Sequence, residues 1–317
     1  MNRPKMNPIL KKELTLGART VRFPVSIIIY AGIMALSALA VLVSQTIIYK
    51  MDGIASYSYV NYASLSDGFQ ALAYIQLAMI CVILPILTAG SIAGERERQT
   101  LDIMLVAPIS PFSIVMGKLM ASLSNVFVFI ISSLPAMSLC FLYGGIQWQY
   151  LMVFIGSALV MAFFAGAIGV WASSVFKKTV SSVIITMIIE GVFYLFPLIV
   201  VAVAATVKYS IVVSQTTNVF NGEISLGWLP IILLLNPMVG FVDGMFLSNS
   251  GEHVMSTILN LFSGTIKTPA GFDFFADHWC WFSYAVTILL GMFFVWMATR
   301  QIDSIRRKGV NMKKKKA

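Results

Sequence analysis

Glu190 is the acidic residue that lies deepest within an apolar run of this chain. It stands about ten residues, or roughly 15 Å of helix, from the nearer end of that run. Thr186 and Tyr194 lie four residues on either side of it and share its helix face. An ionisable group at this depth predicts a contact for a polar substrate group or a gate that faces protein or water. The alternative is structural, a protonated carboxyl that is hydrogen-bonded to Gln70 or Gln76.

A second candidate is the charged run Glu95, Arg96, Glu97 and Arg98, which stands between two long apolar segments. Adjacent charges of this kind are typical of a hydrated helix end. The sequence that follows is more specific, because apolar residues recur at helical spacing and a Ser-Pro pair suits the N-cap and first turn of a new helix. We therefore predict a short amphipathic helix, a turn and a second helix. The residues that carry this pattern are Thr100, Leu101, Asp102, Met104, Leu105, Ser110 and Pro111.

Residues that commonly bind metals are scattered through the sequence. No two cysteines have a C-x-x-C or other ligand spacing, and the two histidines are far apart. We predict neither a disulfide framework nor a metal site, and no catalytic residue. The residues concerned are Cys81, Cys140, Cys280, His253 and His278.

The composition indicates which elements must position these side chains. Hydrophobic residues make up 58% of the chain and charged residues 11%, and the mean hydropathy is +0.86. Both are far from the composition of soluble domains and indicate an integral membrane protein. Apolar runs of about 20 residues are long enough to cross the hydrocarbon core as helices. We predict an all-α polytopic membrane protein with six transmembrane spans, at 24–48, 69–93, 121–143, 150–175, 180–207 and 279–299.

Basic residues predict the orientation of the six spans. Of the 22 Lys and Arg residues, 19 fall in segments that six spans would place on one side, so that side and both termini are predicted to be cytoplasmic. These segments are an N-terminal amphipathic interfacial helix at 1–23, a loop at 94–120, the turn between spans four and five, and a basic tail at 300–317. The tail's final KKKK could attract anionic lipid headgroups, but we expect it to be solvated and disordered, as blocks of like charge usually are.

The region at 208–278 is predicted to lie on the outer side, as short helices between spans five and six. Within it, 226–247 is long enough to span, but a seventh span would put the basic tail outside. We expect this segment to be buried against the outer ends of the bundle or to dip partway into the membrane. The whole chain, 1–317, is thus predicted to be a single transmembrane domain.

The stretch "GERERQTLDIMLVAPISPFSIVMGK" resembles the loop after the second span in permease subunits of type 2 ATP-binding cassette (ABC) transporters. An N-terminal "NPILKKEL" helix, six spans and an "NP" segment between spans five and six resemble the same family. Gln99 departs from it, because many relatives have Gly before the threonine. The matching positions are Glu95, Thr100, Leu101, Asp102, Met104, Leu105, Pro108, Ile109, Ser110, Gly117 and Lys118.

This resemblance implies a transport subunit, with export as its direction, in the plasma membrane of a bacterium. Its partners would be a cytoplasmic ABC ATPase, a second permease copy or homologous permease, and membrane lipid, with no nucleic acid. The loop, from the charged run Glu95 to Arg98 through Leu105, would dock into the ATPase. The chain needs such a partner because Gly117-Lys118 has Leu119 after it and no P-loop glycine before it. ATP and Mg²⁺ would therefore bind to the partner, and no cofactor to this chain.

Two other classes of function are compatible with a polytopic membrane protein. An ion-coupled secondary transporter predicts internal repeats and several ionisable groups at the midplane, whereas one deep Glu and no evident repeat are found here. An intramembrane enzyme is the third class, but no H-E-x-x-H or G-x-S-x-G string occurs.

Overall fold

The computed structural model describes residues 9–10, 12–13, 15, 21–51, 62–101, 109–142, 148–215, 229–250 and 272–316. Every regular element within these ranges is helical, and the described residues between 9 and 15 are helical as well. The helices are α1 (Arg22–Met51), α2 (Tyr62–Glu97), α3 (Pro111–Leu142), α4 (Trp148–Val175), α5 (Thr179–Gln215), a 3-10 helix (Leu229–Leu235), α6 (Pro237–Ser250), α7 (Phe272–Asp277) and α8 (Trp279–Lys316).

Six helices of the described residues are long and apolar enough to cross a membrane, which confirms the predicted all-α, six-span class. Their lengths of 21 to 30 residues match the hydrocarbon thickness because an α-helix rises about 1.5 Å per residue. The candidate spans are Phe23–Val43, Gly68–Glu97, Pro111–Ser138, Trp148–Val175, Thr179–Ala204 and Trp279–Arg307.

The basic tail differs from the expectation of disorder. Helix α8 does not stop at the predicted end of its span at 299 but continues to Lys316. Extending an existing helix costs little once its first turns have formed. An ion pair of 2.7 Å between Arg307 and Asp303, at i and i+4, adds support to this extension. The prediction of a disordered KKKK was therefore wrong.

The chain divides into two compact units. The first consists of Met1–Trp148, Ala162–Met187 and Gly291–Ala317. Within it α1, α2 and α3 pack on one another, and glycines bring α4 close to its neighbours. A Cβ at Gly166 would lie only 2.8 Å from Leu119 Cδ1, and one at Gly169 would overlap Thr88. Small residues at these positions allow the close helix contacts on which membrane bundles depend.

The second unit consists of Gln149–Met161 and Ile188–Leu290. In this unit α6 packs closely on the start of α8, because a Cβ at Gly244 would lie 3.0 Å from Cys280 Sγ and one at Gly240 would overlap Ser283. The 3-10 helix joins the same core. Its buried cluster is formed by Val201, Leu233, Leu234, Val239, Ala276 and Trp279.

Asn236 joins the turn between the 3-10 helix and α6 to helix α5. It is the N-cap of α6, since its Oδ1 accepts a hydrogen bond from Met238 N at 2.9 Å and Pro237 occupies the first helical position. Its Nδ2 donates to Tyr194 O at 2.8 Å, and Tyr194 lies near the middle of the span Thr179–Ala204. The beginning of α6 therefore lies beside the middle of that span of α5.

Candidate functional site

The charged run forms the last turn of α2 and its C-cap. Gln99 N donates to Arg96 O at 3.1 Å, and Thr100 N donates to Glu95 O at 2.9 Å. These are the two hydrogen bonds of a Schellman motif, which satisfies carbonyls that the helix end leaves open. The motif requires a left-handed residue, and Gln99 has φ = 59°. Gln99, the residue that departs from the family pattern, therefore has a backbone conformation that glycine adopts with the least strain.

Arg96 caps a different helix. Its guanidinium donates to Ser174 O at 3.0 Å, to Phe176 O at 3.2 Å and to Val175 O at 3.4 Å. These carbonyls belong to the C-terminal end of α4, where the backbone has no intrahelical donors and the helix dipole favours a cation. Arg96 thus ties the end of α2 to the end of α4.

Glu97 caps the beginning of α5. Its Oε1 accepts from Thr179 N at 2.8 Å, and its Oε2 accepts from Thr179 Oγ1 at 2.9 Å. The first N–H groups of a helix lack intrahelical acceptors, and the dipole there favours an anion. Arg96 and Glu97 therefore hold both sides of the turn between α4 and α5. We refer to Arg96, Glu97 and Thr179 as the clamp.

Glu95 belongs to a network around a buried lysine. Lys118 is only 2% exposed, and its Nζ contacts Glu95 Oε1 and Glu13 Oε1, both at 3.1 Å. It also donates to Ser91 O at 2.6 Å, while Lys12 Nζ lies 3.8 Å from Glu95 Oε1. A buried ammonium is stable only when it is paired in this way. The network joins the N-terminal segment, α2 and α3.

The other residues of the predicted loop divide into three groups. Arg98 and Thr100 are exposed, whereas Leu101 is buried within the chain at 5% exposure. Asp102, Met104 and Leu105 lie outside the described residues, as does most of the predicted short helix.

The far end of the loop is also anchored. Ser110 Oγ accepts from Ser113 N at 3.2 Å, which confirms the predicted N-cap of α3 at the Ser110-Pro111 pair. Arg306 on the extension of α8 donates to Ile109 O at 3.1 Å. The loop therefore leaves one anchored helix end and returns to another.

Glu190 is buried in α5 at 3% exposure, and its Oε1 has no hydrogen-bond partner among the described residues. Thr186 shares its face and is buried, and its hydroxyl bonds back to Ser182 O at 2.7 Å. Both amide atoms of Gln76, one of the two structural alternatives as partner, also lack a hydrogen bond within the described ranges. The face that carries Glu190 is therefore covered, while an apolar face of α5 is exposed: Ile188, Val192, Leu195 and Ile199.

Sequence reasoning identified the charged run but missed its partners. Lys118 binds Glu95 from 23 positions away and Thr179 binds Glu97 from 82 positions away. Glu13 joins this network through Lys118, which is 105 positions from it. A signal was present in Lys118, because a lysine beside an apolar run implies carboxylate partners. Within the described ranges, no group of three or more His, Cys, Asp or Glu residues could hold a metal ion.

The model of a family described as ABC-2 family transporter protein matches residues 7–296 of this chain. A search of curated proteins finds no match.

Proposed function

Because this chain belongs to the family of ABC-2 transporter proteins, we propose that it is the permease subunit of an exporter whose energy comes from a separate cytoplasmic ATPase. The observation that carries the proposal is the end of α2, where the charged run is anchored to α3, α4 and α5. A merely solvated helix end needs no such anchoring. An element that receives force from a partner does, because a loose base would absorb the movement.

In this proposal the loop after α2 faces the cytoplasm of a bacterium, and both termini lie on the same side of its plasma membrane. The asymmetry of 19 basic residues against three supports that orientation. Two permeases, identical or homologous, act with two ATPases within membrane lipid, and no nucleic acid takes part. The ATPases bind ATP and Mg²⁺, and this chain needs no cofactor of its own.

Two kinds of contact hold the ATPase. Exposed ion pairs contribute only about 0–1 kcal/mol each, so exposed charges such as Arg98 determine register and partner choice. Truncating a buried apolar anchor can cost about 2 kcal/mol or more, so apolar side chains of the loop determine affinity. Leu101 is already buried in the permease and supports the loop from within. Met104 and Leu105 are therefore the residues to test.

The docking test is a co-purification of the permease with a co-expressed ATPase of the ABC class. Replacing Met104 and Leu105 together by alanine is expected to lower the amount of ATPase recovered by about tenfold or more, since every 1.4 kcal/mol of lost binding is a factor of ten. The matched control is Leu289→Ala with Met292→Ala, the same truncation on the exposed face of α8. Arg98→Gln should have a smaller effect that disappears at high salt.

Full ATPase recovery with the Met104 and Leu105 double variant would reject the loop as the docking element. Failure of the unmodified permease to bind any ABC ATPase would reject the proposed function itself. That second result would favour an ion-coupled secondary transporter as the function of this chain.

We further propose that α5 lines the transport pathway and that Glu190 contacts a polar substrate group or forms a gate. The burial of Glu190 and its Oε1 without a hydrogen-bond partner among the described residues support this assignment. An uncompensated polar group destabilises a membrane helix, so such a group usually has a function. Thr186 and Tyr194, on the same face, belong to this proposed polar surface.

A further inference from the structure

The start of α5 lies directly against the end of α2. A Cβ placed at Gly90 would be 3.3 Å from Thr179 Cγ2, and one at Gly94 would be 3.7 Å from Thr179 Oγ1. Gly90 and Gly94 are one helical turn apart, so α2 presents a strip without side chains to Thr179. The hydrogen bonds from Thr179 to Glu97 then continue this contact by one more turn of α2.

The end of α4 is fixed to the same part of α2. Ser173 Oγ lies 2.8 Å from both Ile92 N and Ala93 N, and Arg96 binds the last carbonyls of α4. Gly169 of α4 lies against Thr88, which is about two turns before Arg96 on α2. Consecutive turns of α2 thus contact α4 from Thr88 to Arg96, which makes sliding between the two helices costly.

We propose that Arg96 and Glu97 are positioning residues that make the end of α2 and the beginning of α5 move as one body. An ATPase that pulls on the loop after α2 would thereby move α5 directly, without passing through the membrane-spanning part of α2. This inference rests on the proposed function, because it concerns how the permease receives force from the ATPase. In this proposal Arg96 and Glu97 act within the permease, whereas a docking model would place both charges in contact with the ATPase.

The clamp acts on the helix that carries the proposed pathway residue. Thr179 is the first residue of α5 and Glu190 lies eleven residues along the same helix, about 16 Å at a rise of about 1.5 Å per residue. A helix is stiff over that length, so a displacement of Thr179 is carried to Glu190. Glu97 is exposed, and exposed contacts add little to folding stability. Removing it should therefore disturb coupling without unfolding the permease.

The first experiment locks the clamp covalently. In a permease whose Cys81, Cys140 and Cys280 are replaced by alanine, Gly94→Cys and Thr179→Cys are introduced, since a Cβ at Gly94 lies within reach of the position 179 side chain. Thr179→Cys removes the hydroxyl that binds Glu97, and the disulfide replaces that hydrogen bond by a covalent link. If the two helix ends move as one body, the oxidised complex should hydrolyse ATP at least as fast as the reduced complex. A loss of hydrolysis on oxidation that reduction restores would show that the ends must separate, and would overturn the proposal.

The second experiment releases the clamp. Movement of α5 is followed by the fluorescence of a bimane label on Ile188→Cys, an exposed position of α5, when ATP is added to the complex in nanodiscs. Glu97→Ala combined with Thr179→Val should reduce the ATP-induced signal by about fivefold or more, the lower end of typical coupling between sites, while the ATPase stays bound. Glu97→Gln keeps one acceptor oxygen and should fall between this variant and the unmodified protein.

Thr206→Val is the matched control, because Thr206 is exposed on the same helix and its hydroxyl donates to Val203 O of its own helix. An undiminished signal in the Glu97 and Thr179 variant would overturn the clamp. Loss of the ATPase from that variant would also overturn it, because Glu97 would then be a docking contact. Absence of ATPase from the unmodified permease is a different result and rejects the proposed function.

Discussion

At the scale of single residues, Glu190 and Lys118 are two ionisable side chains that are buried in different ways. Lys118 has two carboxylates and a carbonyl around its Nζ, so its burial is compensated and its role is to join segments of the chain. Glu190 has one carboxyl oxygen without a partner in the described part of the chain. A residue that folding alone would not select is a candidate for function.

Replacing Glu190 separates its functional and structural interpretations. Glu190→Leu removes an unpartnered polar group and is expected to raise the free energy of unfolding by about 1–3 kcal/mol, while ATP hydrolysis stimulated by the permease falls. Thermal unfolding in detergent and the ATPase rate of the complex measure the two effects. Glu190→Gln, which keeps the shape, should also lower the rate. Lower stability of Glu190→Leu would instead indicate a structural hydrogen bond, and unchanged rates in both variants would refute the functional assignment.

At the scale of elements, the end of α2 explains why four charges stand side by side. Each of three charges serves a different neighbour: Glu95 binds Lys118 of α3, Arg96 binds the end of α4, and Glu97 binds the start of α5. Arg98, the fourth charge, is exposed to the solvent. Charges and helix ends are complementary here because the two helix dipoles have opposite signs at the turn between α4 and α5.

The C-cap of α2 makes a direct prediction at Gln99. The left-handed backbone conformation at position 99 destabilises a non-glycine residue by roughly 1–2 kcal/mol. A glycine would avoid this strain, but part of the gain would be lost because glycine also increases the conformational entropy of the unfolded chain. Gln99→Gly is therefore expected to raise the free energy of unfolding by about 0.5–1 kcal/mol, and Gln99→Val to lower it. Thermal unfolding of the two purified variants measures the difference. A less stable Gln99→Gly would mean that the side chain of Gln99, not its backbone, matters at this position.

At the scale of the whole molecule, the proposed orientation places 208–278 outside the cell and the basic tail inside. Cysteines introduced in the background without native cysteines at Asn249, on α6, and at Asn311, on the extension of α8, test it with a membrane-impermeant thiol reagent. Asn249→Cys should be labelled in intact cells, and Asn311→Cys only after the cells are opened. Labelling of Asn311→Cys in intact cells would invert the topology and place the loop after α2 on the wrong side for an ATPase.

The sequence by itself determined the features that depend on local chemistry and on run length. Six apolar runs predict six spanning helices because the thickness of the hydrocarbon core sets a minimum helix length. The predicted cap at Ser110-Pro111 lies within three residues of the group that it binds. The resemblance of the loop to a transporter family likewise rests on one contiguous stretch, and the family match bears it out.

Only the tertiary structure decided what the charged run contacts. The carboxylate of Glu97 and the hydroxyl of Thr179 are 82 positions apart, and Lys118 and Glu13 are 105 apart. No periodicity in the sequence encodes such pairs, because they arise where several helix ends are brought together by packing. The burial of Leu101 was unpredictable for the same reason. A side chain's own sequence neighbours describe its chemistry, whereas its burial and partners depend on segments that only the folded bundle places beside it.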